Sequence, residues 1–171
     1  MDDIQLQKND RVLDIGCGTG ILFPFLQKTV TSGGHVIALD FSSAMIRKAR
    51  ANSPHGISFI QAEAERIPIK DDFFDTAICF SCFPHFADKE KSLLEINRVL
   101  KEDGEIHILH TESREEINAI HKKAGGPVSH DRLPQVSEMF TIMTKAGFSG
   151  ITVQDAKDFY CAKAVKKNKS I

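Results

Sequence analysis

Charge of one sign is the first thing this sequence lacks: 22 Lys and Arg stand against 23 Asp and Glu, a formal net charge of −1. Without a basic excess there is no whole-chain footprint for non-specific nucleic-acid binding. Also missing is any apolar run near the ~18–20 residues that a membrane helix needs. The opening MDDIQLQKND is acidic and polar, unlike the basic-then-apolar start of a signal peptide. We therefore expect a cytoplasmic protein with no membrane span. Cysteines are few, Cys17, Cys79, Cys82 and Cys161, and scattered through runs that read as buried strand or tight turn. They fit reduced packing residues better than a disulfide framework. No repeat, low-complexity tract or linker divides the 171 residues, so a single domain over 1–171 is expected, near the usual ~150 residues. A composition of 42% hydrophobic and 26% charged residues excludes disordered, collagenous and coiled-coil chains.

What is present is an alternation of short apolar runs with helical patterns. Strands are expected at Arg11–Ile15, His35–Leu39, Ile57–Gln61, Asp75–Phe80 and Gly104–His110. Between them, helical spacing runs over Thr19–Val30, from Ser42 or Ser43 as N-cap, and from Asp88 to Leu100. Ser113 followed by Glu116 has capping-box spacing and starts a helix through Lys123, which Gly125-Gly126-Pro127 ends. A loop then leads to Pro134. A last helix, Gln135–Ala146, stops at Gly147, and two strands close the chain at Ile151–Val153 and Phe159–Val165. The tail KKNKSI is expected to fray. Such alternation implies crossover units: an α/β, doubly wound, mostly parallel seven-stranded sheet with helices on both faces. The last two strands are too close for a crossover and predict an antiparallel hairpin at the edge.

The strongest chemical signal is Val12-Leu13-Asp14-Ile15-Gly16-Cys17-Gly18-Thr19-Gly20. A strand feeds a glycine turn that opens a helix, which lets a ligand reach the backbone beyond the strand ends. Asp40 follows about 20 residues after the loop, where a carboxylate accepts hydrogen bonds from ribose hydroxyls. Loop and acid together imply an adenosine-containing ligand. Gly16, Gly18 and Gly20 make G-x-G-x-G, whereas dinucleotide sites favour G-x-G-x-x-G with a helix aimed at pyrophosphate. Asp14 adds a negative charge beside that position. A ligand bearing an amino group and a sulfonium suits it better, and S-adenosylmethionine has both.

At these residues the sequence resembles the class I S-adenosylmethionine-dependent methyltransferases, in the branch that includes the ubiquinone/menaquinone-biosynthesis enzymes. The resemblance runs from about Arg11 to Gly104 and weakens beyond. It rests on VLDIGCGTG, ALDFSSAMI, AEAERIPIKDDFFD and INRVLKEDG in that order. It implies a Rossmann-like methyltransferase domain that binds S-adenosylmethionine and leaves S-adenosylhomocysteine. By position, Asp14 orients the methionine amino group, the backbone of Gly16 and Gly18 packs on the methionine moiety, and Cys17 and Gly20 belong to the same cofactor loop. Asp40 holds the ribose, Phe41 and Met45 flank adenine, and Glu63 and Ala64 reach its edge. Cys79 and Phe80 end the fourth strand, where a backbone carbonyl meets the amino group. Two departures stand out: Glu102-Asp103 replaces the usual Pro-Gly, and the helices that usually precede the first motif and roof the site are missing. The second implies an open acceptor side, or one covered by a second copy or a partner chain.

Methyl transfer asks the protein to orient a nucleophile and exclude water. The acceptor, a small molecule, is expected above the fourth and fifth strands, with residues 112–134 as an acceptor-side insertion. Candidate catalytic residues are His85, His110 and His130, the last beside Asp131, since a His–Asp pair makes an oriented base. His121, Arg114 and Arg132 share the segment. Cys79-x2-Cys82-x2-His85 has part of a zinc spacing, but continued strand geometry turns positions 79 and 82 to opposite faces, so no metal is expected. Two other functions compete: an NAD(P)-dependent oxidoreductase, and a non-catalytic subunit that binds S-adenosylmethionine in support of a partner.

Overall fold

The computed structural model describes residues 4–30, 33–53 and 56–168. Seven strands form one sheet: β1 (Arg11–Ile15), β2 (His35–Asp40), β3 (Ile57–Gln61), β4 (Phe74–Phe80), β5 (Leu100–His110), β6 (Phe148–Ala156) and β7 (Phe159–Lys166). Their order is β3-β2-β1-β4-β5-β7-β6. The first five are parallel, and β7 inserts antiparallel between β5 and β6. The expected terminal hairpin is therefore present, with β6 rather than β7 at the edge. Strand order reverses at β1, which places the glycine loop at the switch point where α/β sheets bind ligands.

Alternation along β1 decides what each face buries. Leu13 and Ile15 join Leu93, Ile96 and Val99 of α3 (Lys89–Val99) and Met139, Ile142 and Met143 of α5 (Val136–Lys145). Val12 faces the other way, onto Leu22, Leu26 and Val30 around α1 (Phe23–Thr29). Ile46 and Ala49 of α2 (Ser43–Asn52) cover Ala38 on that same side. α4 (Arg114–Ala124) lies off the sheet and buries only Ile117. Ahead of β1, Ile4–Asp10 form no helix, and Ile4 and Leu6 pack beside Val12.

The caps follow side-chain chemistry. Ser42 accepts from Met45 N–H, Asp88 from Lys91 N–H, and Ser113 forms the full capping box with Glu116. Several boundaries differ from expectation. α1 begins only at Phe23, because Gly20 sits at φ 91°, outside a right-handed helix, and Pro24 belongs to the first turn. β5 extends back to Leu100, through a turn in which Asp103 takes φ 60°, a conformation Asp tolerates. The loop after α4 contains a 3-10 turn, Gly126–His130. Lys166, placed in the frayed tail, is the last residue of β7, and its buried Nζ donates to Asp72 at 2.6 Å and to Leu100 O at 2.7 Å. Residues 169–171 of that tail lie outside the described residues. No helix among the described residues is long and apolar enough to cross a membrane.

Candidate active site

β1 delivers the loop and β2 delivers the acid. Asp40 is buried, and both its oxygens meet backbone: Gly18 N–H donates to Oδ2 and Ser42 N–H to Oδ1, each at 2.9 Å. Cys17 N–H donates to Leu39 O at 3.0 Å, which clips the loop to β2. Gly16 has φ 65°, and a Cβ there would stand 2.5 Å from the Cys82 Cβ. Gly18 has φ 54°, but a Cβ there would meet nothing within 4 Å. One glycine is demanded by packing against Cys82, just beyond β4, the other by turn geometry.

Asp14 is 2% exposed and its Oδ2 has no hydrogen-bond partner among the described residues. Burial, and then the neighbouring Asp40 charge, raise its pKa from 3.8 to about 8. The same surroundings, desolvation first, push the Cys17 thiol up to about 12. A buried acid short of a partner, beside a second acid and a glycine loop, fits a cationic ligand group.

The cleft over this loop is lined by Gly16, Asp40, Phe41, Ala62, Glu63, Ala64 and Glu65 on one side, and by His85, Phe86 and Ala87 on the other. The segment carrying Glu63 and Ala64 is moored by Arg98 of α3. Its guanidinium donates to Ile67 O and Ile69 O, both at 2.8 Å, while Glu95 accepts from Ile67 N–H. Glu65 also accepts from Asp88 N–H at 3.0 Å, joining the cleft wall to the cap of α3. Phe41 is 71% exposed, an apolar ring left at the cleft edge, and Met45 lies one turn into α2.

Cys17, Cys79 and Phe80, also expected at the cofactor, turn their side chains away from the cleft. The Cys17 side chain is buried with Phe23, Ala38, Ile46 and Ala49, which leaves it only a backbone role in the cleft. A Cβ on Gly20 would enter the Phe23 ring, so this glycine serves packing. Cys79 is fully buried in the α3/α5 core, and Phe80 packs toward the opposite face with Leu109. The sequence reading also separated Cys79 from Cys82, and the structure brings them together. Ser81 takes φ 53°, which ends strand alternation and folds Cys82 back under β1. There its thiol donates to Ile15 O at 3.0 Å, and contact with Cys79 and burial hold its pKa well above the ordinary value. No metal-binding cluster of His, Cys, Asp or Glu occurs among the described residues.

On the acceptor side, His85 Nδ1 lies 2.7 Å from Asp131 Oδ2. The adjacent pair His130–Asp131 is thus not the pair that forms; His130 is exposed. The His121 ring packs on His85 with centroids 4.8 Å apart, and His121 Nδ1 meets Asp131 O at 2.9 Å. His110 is buried at the end of β5 near Tyr160, and neither its Nε2 nor the Tyr160 hydroxyl has a hydrogen-bond partner among the described residues. Burial first, then the charges of His85 and His121, lower the His110 pKa to about 4. Arg114 pairs with Asp155 and Arg132 with Glu138, so both arginines already hold protein carboxylates. Sequence reasoning placed Phe86 on the acceptor side with His85 but missed Glu65 and Ala87; the signal was the AEAER run for the first and the residues flanking His85 for the second.

Comparison with known proteins agrees with this geometry. Residues 13–108 match the family described as "Methyltransferase domain". The ubiquinone/menaquinone biosynthesis C-methyltransferase UbiE of Vibrio campbellii is 38% identical over 104 residues, 58% of this chain and 40% of that protein. Its Pectobacterium carotovorum counterpart is 36% identical over 109 residues, 61% of this chain and 43% of the relative. The chain thus spans less than half the length of these curated relatives. In fold it is similar to a methyltransferase of Haloferax volcanii solved with the Trm112 methyltransferase activator (TM-score 0.81, 20% identity, 98% of this chain and 87% of that one). It is also similar to a SAM-dependent methyltransferase from Aquifex aeolicus (TM-score 0.76, 23% identity, 95% and 85%). The chain belongs to the methyltransferase domain family, among the class I S-adenosylmethionine-dependent methyltransferases.

Proposed function

We propose that the cleft binds S-adenosylmethionine and that the chain transfers its methyl group to a small-molecule acceptor. The observation that carries this reading is the pair of buried acids at the glycine loop. Asp14 has an orphaned oxygen suited to the methionine ammonium, and Asp40, fixed by two backbone donors, presents its remaining lone pairs to the ribose hydroxyls. A pyrophosphate beside Asp14 would meet an acid instead of a counter-charge, which argues against a dinucleotide. Gly16 and Gly18 line the methionine end, Phe41 and Met45 flank adenine, and Glu63 with the Ala64 backbone meets its edge.

The bound sulfonium supplies an electrophilic methyl group. The protein's part is to hold the acceptor in line and keep water out, with His85, Phe86 and Ala87 as the facing wall. Calorimetric titration with S-adenosylhomocysteine, with NAD as control, tests the reading. Micromolar binding of the first alone supports it, and NAD binding overturns it. A partner chain or second copy on the acceptor side also belongs to the proposal, supported by the Haloferax neighbour and its activator. Light scattering of the purified protein, alone and pulled from its source, tests that part.

A further inference from the structure

We propose that Asp131 is a positioning residue that holds His85 with its proton on Nδ1, leaving Nε2 as a bare base at the acceptor end of the cleft. The site would then take an acceptor whose nucleophilic atom must shed a proton. This rests on the reading of the cleft as the methyl-donor site.

An ionised carboxylate only accepts, so at 2.7 Å from Asp131 Oδ2 the His85 Nδ1 must carry the proton. No hydrogen bond to Nε2 occurs among the described residues, and His85 lines the cleft. Asp131 is itself held from several directions. Its N–H donates to Val128 O at 3.0 Å and its carbonyl accepts from His121 Nδ1. Two residues on, Leu133 is fully buried, and Asn118 bonds both its N–H (2.8 Å) and its carbonyl (3.2 Å). The strap 131–133 is thus laced to α4 and pinned to the core, and it reaches the cleft through one carboxylate. Such anchoring fixes ring orientation as well as tautomer.

The step balances without another reactant. The nucleophile bonds to the methyl carbon as the C–S bond breaks, its electron pair stays on sulfur, and the nucleophile's proton passes to His85 Nε2. Among the described residues, the ionisable groups near His85 include Asp131 and His121 against it, His110 at the end of β5, Glu63 and Glu65 in the same cleft, and Lys89, which feels the charge of Asp131.

The test is nitrogen NMR of the full chain carrying labelled histidine and saturated with S-adenosylhomocysteine, with His85→Gln to assign the signal. In the native protein at pH 8.5 the neutral His85 should be the Nδ1–H tautomer. Asp131→Ala should move the tautomer ratio at least about tenfold toward Nε2–H, and Asp131→Glu should restore it. A native Nε2–H tautomer, or one unmoved in Asp131→Ala, overturns the proposal; the native measurement needs no variant to fold. Binding of S-adenosylhomocysteine should stay within about twofold in both variants. If the native protein does not bind it, the cleft reading fails while the tautomer result still judges Asp131. For the acceptor, labelled methyl donor is offered with a panel of thiols, phenols and primary amines, beside trimethylamine and iodide, which have no proton to lose. Product from the protic probes that falls at least tenfold in Asp131→Ala supports the assignment. Product from trimethylamine or iodide alone, or none from any protic probe, overturns it.

Discussion

The two walls of the cleft are held by different means. On the β1–β2 wall, Asp40 is gripped by backbone N–H groups of Gly18 and Ser42, so its position follows from the strand order and the loop. On the facing wall, His85 is gripped by the side chain of Asp131, 46 residues away. Backbone gripping tolerates change in almost any neighbouring side chain. Side-chain gripping is lost with one substitution, yet the sheet beneath does not depend on it. The family match covers 13–108, which includes both Asp40 and His85, and stops before the strap whose carboxylate grips His85.

The sharpest way to break the comparison is Asp40→Ala. Two charge-assisted hydrogen bonds to ribose are worth roughly 3–6 kcal/mol together, so affinity for S-adenosylhomocysteine should fall by more than about 100-fold. Calorimetry that finds less than a tenfold loss would remove the acid from the site. Next in size are the glycines of the same wall. Gly16→Ala must adopt φ 65° and drive its Cβ into Cys82 at 2.5 Å, a cost of about 2–3 kcal/mol. Gly18→Ala meets open space and should cost only about 1 kcal/mol from strain. Urea unfolding of the two variants measures the gap, and equal losses would mean that turn geometry, not packing on Cys82, sets this wall.

The same contrast decides what could be read from the sequence. Val12 to Gly20 and Asp40 were legible because a strand, a turn and a second strand suffice to bring them together, with parallel register Asp14↔Ala38 following from the crossover. The mostly parallel seven-stranded sheet and the terminal hairpin were legible for a like reason, since apolar runs and their spacing leave few topologies. The His85–Asp131 contact was not, because it depends on how the strap returns across α4, and neighbouring His130 offered a nearer pairing. Nor was the Cys79–Cys82 approach, which hinges on the left-handed conformation at Ser81. Phe80 was read as offering backbone at the strand end, and strand alternation sends its side chain to the face opposite the Cys79 side chain.

Asp14 sharpens the comparison through pH. With its pKa raised from 3.8 to about 8, the folded protein keeps a proton that the unfolded chain gives up between those values. Stability from this group is complete below about pH 4, declines as pH rises, and levels off above about pH 8. Asp14→Asn removes the decline, so its Tm advantage over the native protein should grow from near zero at pH 4 to about 3 °C or more at pH 8. The ligand ammonium should draw off the same proton, about one per S-adenosylhomocysteine bound at pH 7, seen as a buffer-dependent binding enthalpy. Binding without proton release would mean that Asp14 does not meet the ammonium.

The smallest effect is expected next to the strap's most important residue. Arg132 makes a bidentate pair with Glu138, 2.9 Å at each nitrogen, but the two side chains are 56% and 41% exposed. Solvent screens such a pair and holding it costs side-chain entropy, so Arg132→Ala should lose no more than about 0.5 kcal/mol. In a chain of this size that moves Tm by about 2 °C at most. Buried Leu133 and its two bonds to Asn118 keep the strap in place, so the His85 tautomer and the affinity for S-adenosylhomocysteine should both stay as in the native protein. A changed tautomer in this variant would shift the anchoring of Asp131 from the core to the surface, and would make the acceptor wall far softer than the wall built on Asp40.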